Sequence, residues 1–135
     1  MEKEKNIETI QQLYANVGSK NLPGVLDVLT DDIRWEPPYT VEIPHTKLRT
    51  GKAEVTSFVI EMASEVTYTE FVPQAFYADQ DTVIVKGHFK GTVNHNGNAF
   101  ESDWVHIWKF RGEKICAYQA FWNTHRLVSA LDLVH

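Results

Sequence analysis

The sequence predicts an α+β fold in which N-terminal helices pack on the concave face of a conical, curved antiparallel sheet. Three observations predict it. Apolar residues recur at helical spacing before Thr67, and from Thr67 onward the period changes to two. The dipeptide Asn96-Gly97 then marks a two-residue hairpin turn between strands. Because the chain has 135 residues, we expect residues 1–135 to form a single domain.

Two helices are predicted near the N-terminus. The first ends near Gly18, and its apolar positions are Ile7, Ile10, Tyr14 and Val17. Asn21 is placed to cap a short second helix, in which Pro23 lies in the first turn. The apolar stripe of this second helix consists of Leu22, Val25, Leu26 and Leu29. The second helix is expected to end at Asp31-Asp32.

A strand, a loop and a third helix follow. Residues 33–36 predict a short strand that Pro37-Pro38 interrupts, and residues 37–50 predict a loop. The third helix opens at Thr50-Gly51, and its apolar side is made of Val55, Phe58, Val59, Met62 and Val66. Such a one-sided helix is expected to pack on the sheet.

Four strands in a meander are predicted next. The first covers residues 67–78, and turns at 79–81, 96–97 and 111–113 separate it from the other three. One face of the third of these strands carries Ser102, Trp104, His106, Trp108 and Phe110. A short closing helix is predicted to begin at Thr124. Helices covering one end of a curved sheet leave a conical cavity at the other end.

Composition excludes several classes of protein. The chain has 13 Lys plus Arg against 18 Asp plus Glu, and this acidic balance argues against a nucleic-acid partner. No apolar run approaches the roughly 20 residues that span a membrane, so no membrane partner is expected. The single cysteine, Cys116, cannot form an internal disulfide or a cysteine-rich zinc site. Because no apolar stretch follows the charged N-terminus, we expect a cytoplasmic location.

Five segments carry a resemblance to a known family. They are Asp31-Asp32-Ile33-Arg34-Trp35, Leu48-Arg49-Thr50-Gly51, Trp104-Val105-His106-Ile107-Trp108-Lys109-Phe110, Gly112-Glu113-Lys114-Ile115 and Ala120-Phe121-Trp122-Asn123-Thr124. In this order the chain resembles the SnoaL-like, ketosteroid-isomerase-like branch of the nuclear transport factor 2-like superfamily. The resemblance implies the cystatin-like cone fold over the whole chain. It does not imply one reaction, because the superfamily includes isomerases, epoxide hydrolases, cyclases, dehydratases and non-catalytic binders.

The chain departs from the family's steroid isomerases at their catalytic positions. Aligning Asp31-Asp32 puts Pro37 at the position of the general base, with Glu36 one residue early on the opposite strand face. The catalytic tyrosine aligns with Leu13, one position before Tyr14, and the protonated acid aligns with His106. We therefore expect no standard steroid Δ-isomerase activity.

His106 is the strongest single candidate for chemistry. It lies between Trp104 and Trp108 on one strand face, where burial would lower its pKa and favour neutral imidazole, usable as a base or as a hydrogen-bond donor. A core histidine satisfied by a neighbour is the alternative. Tyr14 and Asn123 are the further candidate catalytic residues, because either could polarise a substrate oxygen.

Aromatic and apolar residues are predicted to line a ligand pocket. The candidates are Trp35, His45, Phe58, Met62, Trp104, Trp108, Tyr118 and Trp122. His45 would gate the pocket mouth or lie on the surface. The four tryptophans each carry an N–H, which suits a partly open pocket better than a dry core. No metal site and no cofactor are predicted, because the histidines are not spaced to converge.

Two functions of different class remain open. The first is a pocket protein that binds a small apolar or aromatic molecule. The second is a cofactor-independent isomerase, lyase or hydrolase for a carbonyl- or epoxide-bearing molecule, with His106 as acid or base. A carboxylate or tyrosinate within reach of His106 would favour the enzyme. A homodimer is expected in either case, with Val83, Val85, Phe89, Val105 and Ile107 providing its apolar sheet surface.

Overall fold

The structure is a computed structural model that describes residues 2–38 and 47–131. Its helices are α1 (Glu2–Gly18), α2 (Leu22–Asp27), α3 (Lys52–Glu65) and α4 (Thr124–Leu131). Its strands are β1 (Leu29–Glu36), β2 (Arg49–Thr50), β3 (Val66–Asp79), β4 (Thr82–Val93), β5 (Ala99–Arg111) and β6 (Lys114–Trp122). None of the described helices is long and apolar enough to cross a membrane.

All six described strands belong to one curved sheet with the order β2-β1-β6-β5-β4-β3. The predicted α+β fold is confirmed, and the meander of β3 to β6 is antiparallel throughout. One pair departs from the antiparallel pattern, because β1 runs parallel to β6. This pairing brings Trp35 beside Tyr118 and so joins the N-terminal part of the chain to the end of the meander.

The boundaries of two elements differ from those predicted. Leu29, predicted to complete the apolar stripe of α2, begins β1 instead, because its backbone pairs with Ile115 of β6. Val66, predicted to end α3, is the first residue of β3 and pairs with Val93. Helical spacing alone does not show at which residue the backbone leaves the helix to pair with a neighbouring strand. The residues Arg49–Thr50, predicted as loop, form the short strand β2.

The inner face of the sheet carries the core. On β4 and β5 the residues in register alternate between buried and exposed, and the buried pairs include Val83 with Trp108, Val85 with His106, and Phe89 with Ser102. Helix α1 packs across this face. The predicted dimer surface is therefore wrong in three positions, because Val83, Val85 and Phe89 lie under the helices. Only Val105 and Ile107 of that set lie on the outer face.

The alternation in β6 is interrupted near its start. A register shift opposite Lys109 and Phe110 lets Ile115 and Tyr118 both face inward, although an odd number of steps separates them. Cys116, which simple alternation would place on the same face as Tyr118, is half-buried at this irregularity. The shift keeps Tyr118 on the inner face directly opposite Trp108.

Candidate functional site

The candidate site is an aromatic cluster on the inner face of β5, centred on His106. His106 is 5% exposed, and Trp104 and Trp108 on either side of it are each 1% exposed. The strand period explains this arrangement, because residues two apart on a strand project from the same face. The indole of Trp104 stacks on the imidazole with 4.1 Å between the ring centroids.

A chain of hydrogen bonds links α1 to this cluster. The Nε1–H of Trp108 donates to Tyr14 Oη over 3.1 Å, and Tyr14 Oη lies 2.8 Å from His106 Nδ1. The Tyr14 hydroxyl can accept a hydrogen bond from the indole N–H and still donate its own proton. Every polar atom of the series has a partner when Tyr14 donates to His106 Nδ1. His106 is then the tautomer that carries its proton on Nε2. This Nε2–H has no hydrogen-bond partner within the described residues.

Burial sets the protonation states of His106 and Tyr14, the two titratable groups in this series of hydrogen bonds. It lowers the pKa of His106 to about 3, with no charged neighbour contributing, so the imidazole is neutral near pH 7. Burial also raises the pKa of the Tyr14 phenol, and only the hydrogen bond from Trp108 opposes this. Tyr14 is therefore a neutral phenol, and no tyrosinate stands beside His106.

Two further indole N–H groups in or beside the cluster lack partners. Trp35 Nε1 and Trp104 Nε1 are enclosed, and neither makes a hydrogen bond within residues 2–38 and 47–131. Leaving a buried donor unpaired costs about 1–3 kcal/mol, so native proteins usually satisfy such groups. With His106 Nε2–H, the cluster thus presents three donors that acceptor atoms of a ligand could satisfy.

The aromatic walls come from four different elements. Tyr118 of β6 lies 5.1 Å from His106 between ring centroids, and Trp35 of β1 lies 4.1 Å from Tyr118. Phe71 of β3 stacks on Trp104 at 4.9 Å, a contact that the sequence did not predict. The sequence signal for Phe71 is weak because β3 changes register twice, between Tyr68 and Glu70 and between Pro73 and Ala75. The alternation of inward and outward residues therefore cannot be followed along this strand.

The structure brings together five of the predicted site residues around His106, namely Tyr14, Trp35, Trp104, Trp108 and Tyr118. Others lie at the margin or elsewhere. Phe58 contacts Trp35 at 6.5 Å, and Met62 is buried one turn further along α3. Trp122 packs on Phe89 instead, at 5.6 Å. Asn123 is exposed, and its backbone N–H donates to Ser102 Oγ over 3.0 Å. His45 lies outside the described residues.

The acids closest to His106 in the strand pattern, Asp103 and Glu36, lie on the other side of the sheet. Asp103 accepts from His88 Nδ1 at 2.9 Å, and Glu101 accepts from His88 Nε2 at 2.9 Å. Both ring nitrogens can donate only when the imidazole is charged, and these two carboxylates raise the pKa of His88. Glu36 pairs in register with Gln119 on the same outer face. Among the described residues, no carboxylate hydrogen-bonds to His106.

No three His, Cys, Asp or Glu side chains of the described ranges form a group that could hold a metal ion. The absence of a metal stays a prediction. A groove of about 720 Å³ is present near α4, and His106 is not among the residues that line it. The His106 cluster and this groove are therefore separate features.

Comparison with known proteins places the fold in a family. The sequence model of the SnoaL-like domain matches residues 10–118. The chain belongs to the SnoaL-like family. This SnoaL-like chain is also similar to an NTF2-like protein from Burkholderia xenovorans LB400, with 25% identity, 96% of this chain and 97% of that chain covered, and a TM-score of 0.86. A search of curated proteins found no match to this chain.

Two further solved structures share the SnoaL-like fold at lower identity. TerC, co-crystallised with polyporic acid, has 21% identity and a TM-score of 0.85, with 95% of this chain and 98% of that chain covered. A putative isomerase from Bacillus subtilis has 22% identity and a TM-score of 0.83, with 97% and 95% covered. At these identities the likeness concerns the fold alone.

Proposed function

We propose that this protein binds a small, flat, largely apolar molecule that carries an acceptor oxygen, and that His106 Nε2–H donates to that oxygen. The observation that carries this proposal is the hydrogen-bond chain from Trp108 through Tyr14 to His106 Nδ1. This chain fixes the imidazole in the tautomer whose free nitrogen is a donor. The fixed donor selects ligands with a carbonyl, carboxylate or phenolate oxygen.

The surroundings of His106 define the rest of the ligand. The rings of Trp104, Tyr118 and Phe71 make the surroundings of His106 aromatic, which favours a flat, apolar ligand. The unpartnered N–H groups of Trp35 and Trp104 add two donors to that of His106. A ring compound with one to three oxygen acceptors would match these groups, and no cofactor is needed for such binding.

The alternative is a cofactor-independent isomerase, lyase or hydrolase with His106 as acid or base. A neutral imidazole with a pKa of about 3 is a weak base, and Nδ1 is already occupied by Tyr14. A donor can still stabilise a developing oxyanion, so catalysis by polarisation of a carbonyl is the form of this alternative that fits the site. Asn123 stays a prediction for this role, with an exposed side chain and a backbone N–H that donates to Ser102 Oγ.

The first test is ligand binding by variants of the cluster. The panel consists of ring ketones, aromatic acids and polyporic acid, the last because the fold neighbour TerC was crystallised with it. We expect tryptophan fluorescence to be quenched saturably by part of the panel. His106→Phe keeps an aromatic ring but removes the donor, so the affinity should fall about tenfold or more, measured by titration calorimetry.

Two further variants make this result specific. Tyr14→Phe releases Nδ1 and should weaken binding less than His106→Phe does, because Nε2 can still carry a proton. His95→Phe makes the same replacement at an exposed hairpin residue and should bind like wild type. Saturable binding that is indifferent to His106→Phe would remove His106 from the site, and no binding by any member of the panel would contradict the proposed function.

We also propose that two copies pair through the outer face of the sheet. Its apolar residues include Val72, Ile84 and Phe121, which are 42%, 39% and 48% exposed. Burying such a face against a second copy removes apolar surface from water. Light scattering after size exclusion should give twice the chain mass of 15.5 kDa at micromolar concentration. Phe121→Glu should give 15.5 kDa, whereas Val17→Glu, on an exposed helix position, should leave the dimer intact.

A further inference from the structure

The groove near α4 is lined by residues other than those of the His106 cluster. It has a volume of about 720 Å³, which is in the range of small-molecule sites, and β3, β4, β5 and α4 all contribute to its walls. Glu101, the lining residue nearest to His106 along β5, is five positions from it. At about 3.3 Å per residue this corresponds to roughly 16 Å. A ligand in the groove would therefore not touch His106.

Two cations that line the groove have no acidic partner within the described residues. Lys90 projects from β4 and Arg126 lies in the first turn of α4, and neither forms an ion pair there. Ion pairs are present elsewhere on the protein, as between Lys5 and Glu113 and between Arg111 and Asp32. The groove lining thus carries two cations without an ion pair, on a protein whose net charge is −5.

The acid that lines the groove, Glu101, is already engaged. Glu101 lines the groove and is the register partner of Lys90, but its Oε2 lies 2.9 Å from His88 Nε2. Glu70, the partner of Lys90 on β3, is not among the lining residues. The lining therefore has two cations against one carboxylate, and that carboxylate is hydrogen-bonded to His88.

Hydroxyl groups and apolar surface complete the groove. Thr69, Thr92 and Ser129 contribute hydroxyls from three different elements, and Ser129 Oγ is within hydrogen-bond distance of His125 Nε2. Phe100 and Ala130 contribute apolar surface to the same lining. Arginine, lysine and hydroxyl groups together suit a carboxylate or a phosphate, and the apolar residues suit a short hydrocarbon or aromatic body.

We propose that this groove is a second ligand site, which binds an organic anion consisting of a carboxylate or phosphate head and a small apolar body. Lys90 and Arg126 hold the head, and the hydroxyls accept or donate the remaining hydrogen bonds. The site acts independently of His106, so it can be occupied whether or not the aromatic cluster holds a ligand.

The experiment titrates phenyl phosphate, phenylacetate and inorganic phosphate into the full chain, followed by amide chemical shifts and calorimetry. We expect phenyl phosphate or phenylacetate to shift amides of α4 and of the β4–β5 hairpin. Both should bind more tightly than inorganic phosphate, and the two organic probes distinguish a phosphate from a carboxylate head. The double variant Lys90→Gln/Arg126→Gln should weaken binding about tenfold or more. Both side chains are exposed, so the fold should be retained.

The matched control is Lys20→Gln/Lys114→Gln, which removes the same charge from exposed positions that do not line the groove. It should change affinity less than twofold. His106→Phe should also leave this binding unchanged, which separates the result from the function proposed for the cluster. Equal weakening by both double variants, binding lost in His106→Phe, binding of inorganic phosphate as tight as that of the organic probes, or no shift at millimolar probe would each overturn the proposal.

Discussion

Replacing Gly87 by alanine is expected to lower the free energy of unfolding by about 3 kcal/mol. Gly87 pairs in register with Trp104, and a Cβ built on it would lie 2.2 Å from Trp104 Cζ2 and 2.5 Å from the carbonyl oxygen of Val72. Neither neighbour can move freely, because Trp104 is 1% exposed and the carbonyl belongs to the paired strand β3. Chemical denaturation monitored by fluorescence measures the change.

The same variant should also disturb ligand binding. Trp104 stacks on His106 at 4.1 Å, so displacing its indole changes the wall beside the proposed donor. Gly18→Ala is the matched control, because a Cβ there meets nothing within 4 Å, and its stability should change by less than about 0.5 kcal/mol. If Gly87→Ala were as stable as Gly18→Ala, the close packing of Trp104 on β4 would be wrong.

Strand alternation is the part of the site that sequence predicted best. Trp104, His106 and Trp108 share the inner face of β5 because a period of two holds along any regular strand, whatever its neighbours. The same rule placed Glu36 on the opposite face, where it lies. These predictions depend only on the spacing of residues along one strand, and the structure places the residues on the predicted faces.

The rotation of α1 on the sheet could not be predicted from sequence. Family alignment put the tyrosine position at Leu13 and set Tyr14 about 100° away around the helix. In the structure Leu13 is 2% exposed in the core, and Tyr14 Oη reaches His106. A helix with apolar residues on both positions can pack in either orientation, and the long side chain of tyrosine spans the difference.

Long-range pairing and register shifts account for the other departures. The parallel pairing of β1 with β6 joins segments about 80 residues apart, and no local pattern encodes it. The irregularities in β3 and β6 change which face a residue occupies, so simple alternation predicts neither the contact of Phe71 with Trp104 nor the burial of Ile115 beside Tyr118. The predicted dimer surface had a different cause. It combined residues from both faces of β4 and β5, which the alternation itself separates.

Acidification is expected to destabilise the protein through His106. Burial lowers the pKa of His106 to about 3, whereas an unfolded histidine has a pKa of about 6.5. Below pH 6.5 the unfolded chain therefore binds a proton that the native chain does not. The contribution of neutral His106 to the free energy of unfolding is therefore fully present above pH 6.5. As the pH falls towards 3, the free energy of unfolding decreases by up to about 1.4 kcal/mol per pH unit.

The measurement compares urea unfolding of wild type and His106→Phe at pH 7 and pH 4.5. The carboxylates and the other histidines are common to both proteins, so their contributions cancel in the difference. Wild type should lose about 2–3 kcal/mol more than His106→Phe over this interval. His95→Phe, at an exposed position, should follow wild type at both pH values. A His106 ring proton resonance that titrates between pH 6 and 7 would contradict the buried neutral imidazole, and with it the fixed donor on which the proposed ligand class depends.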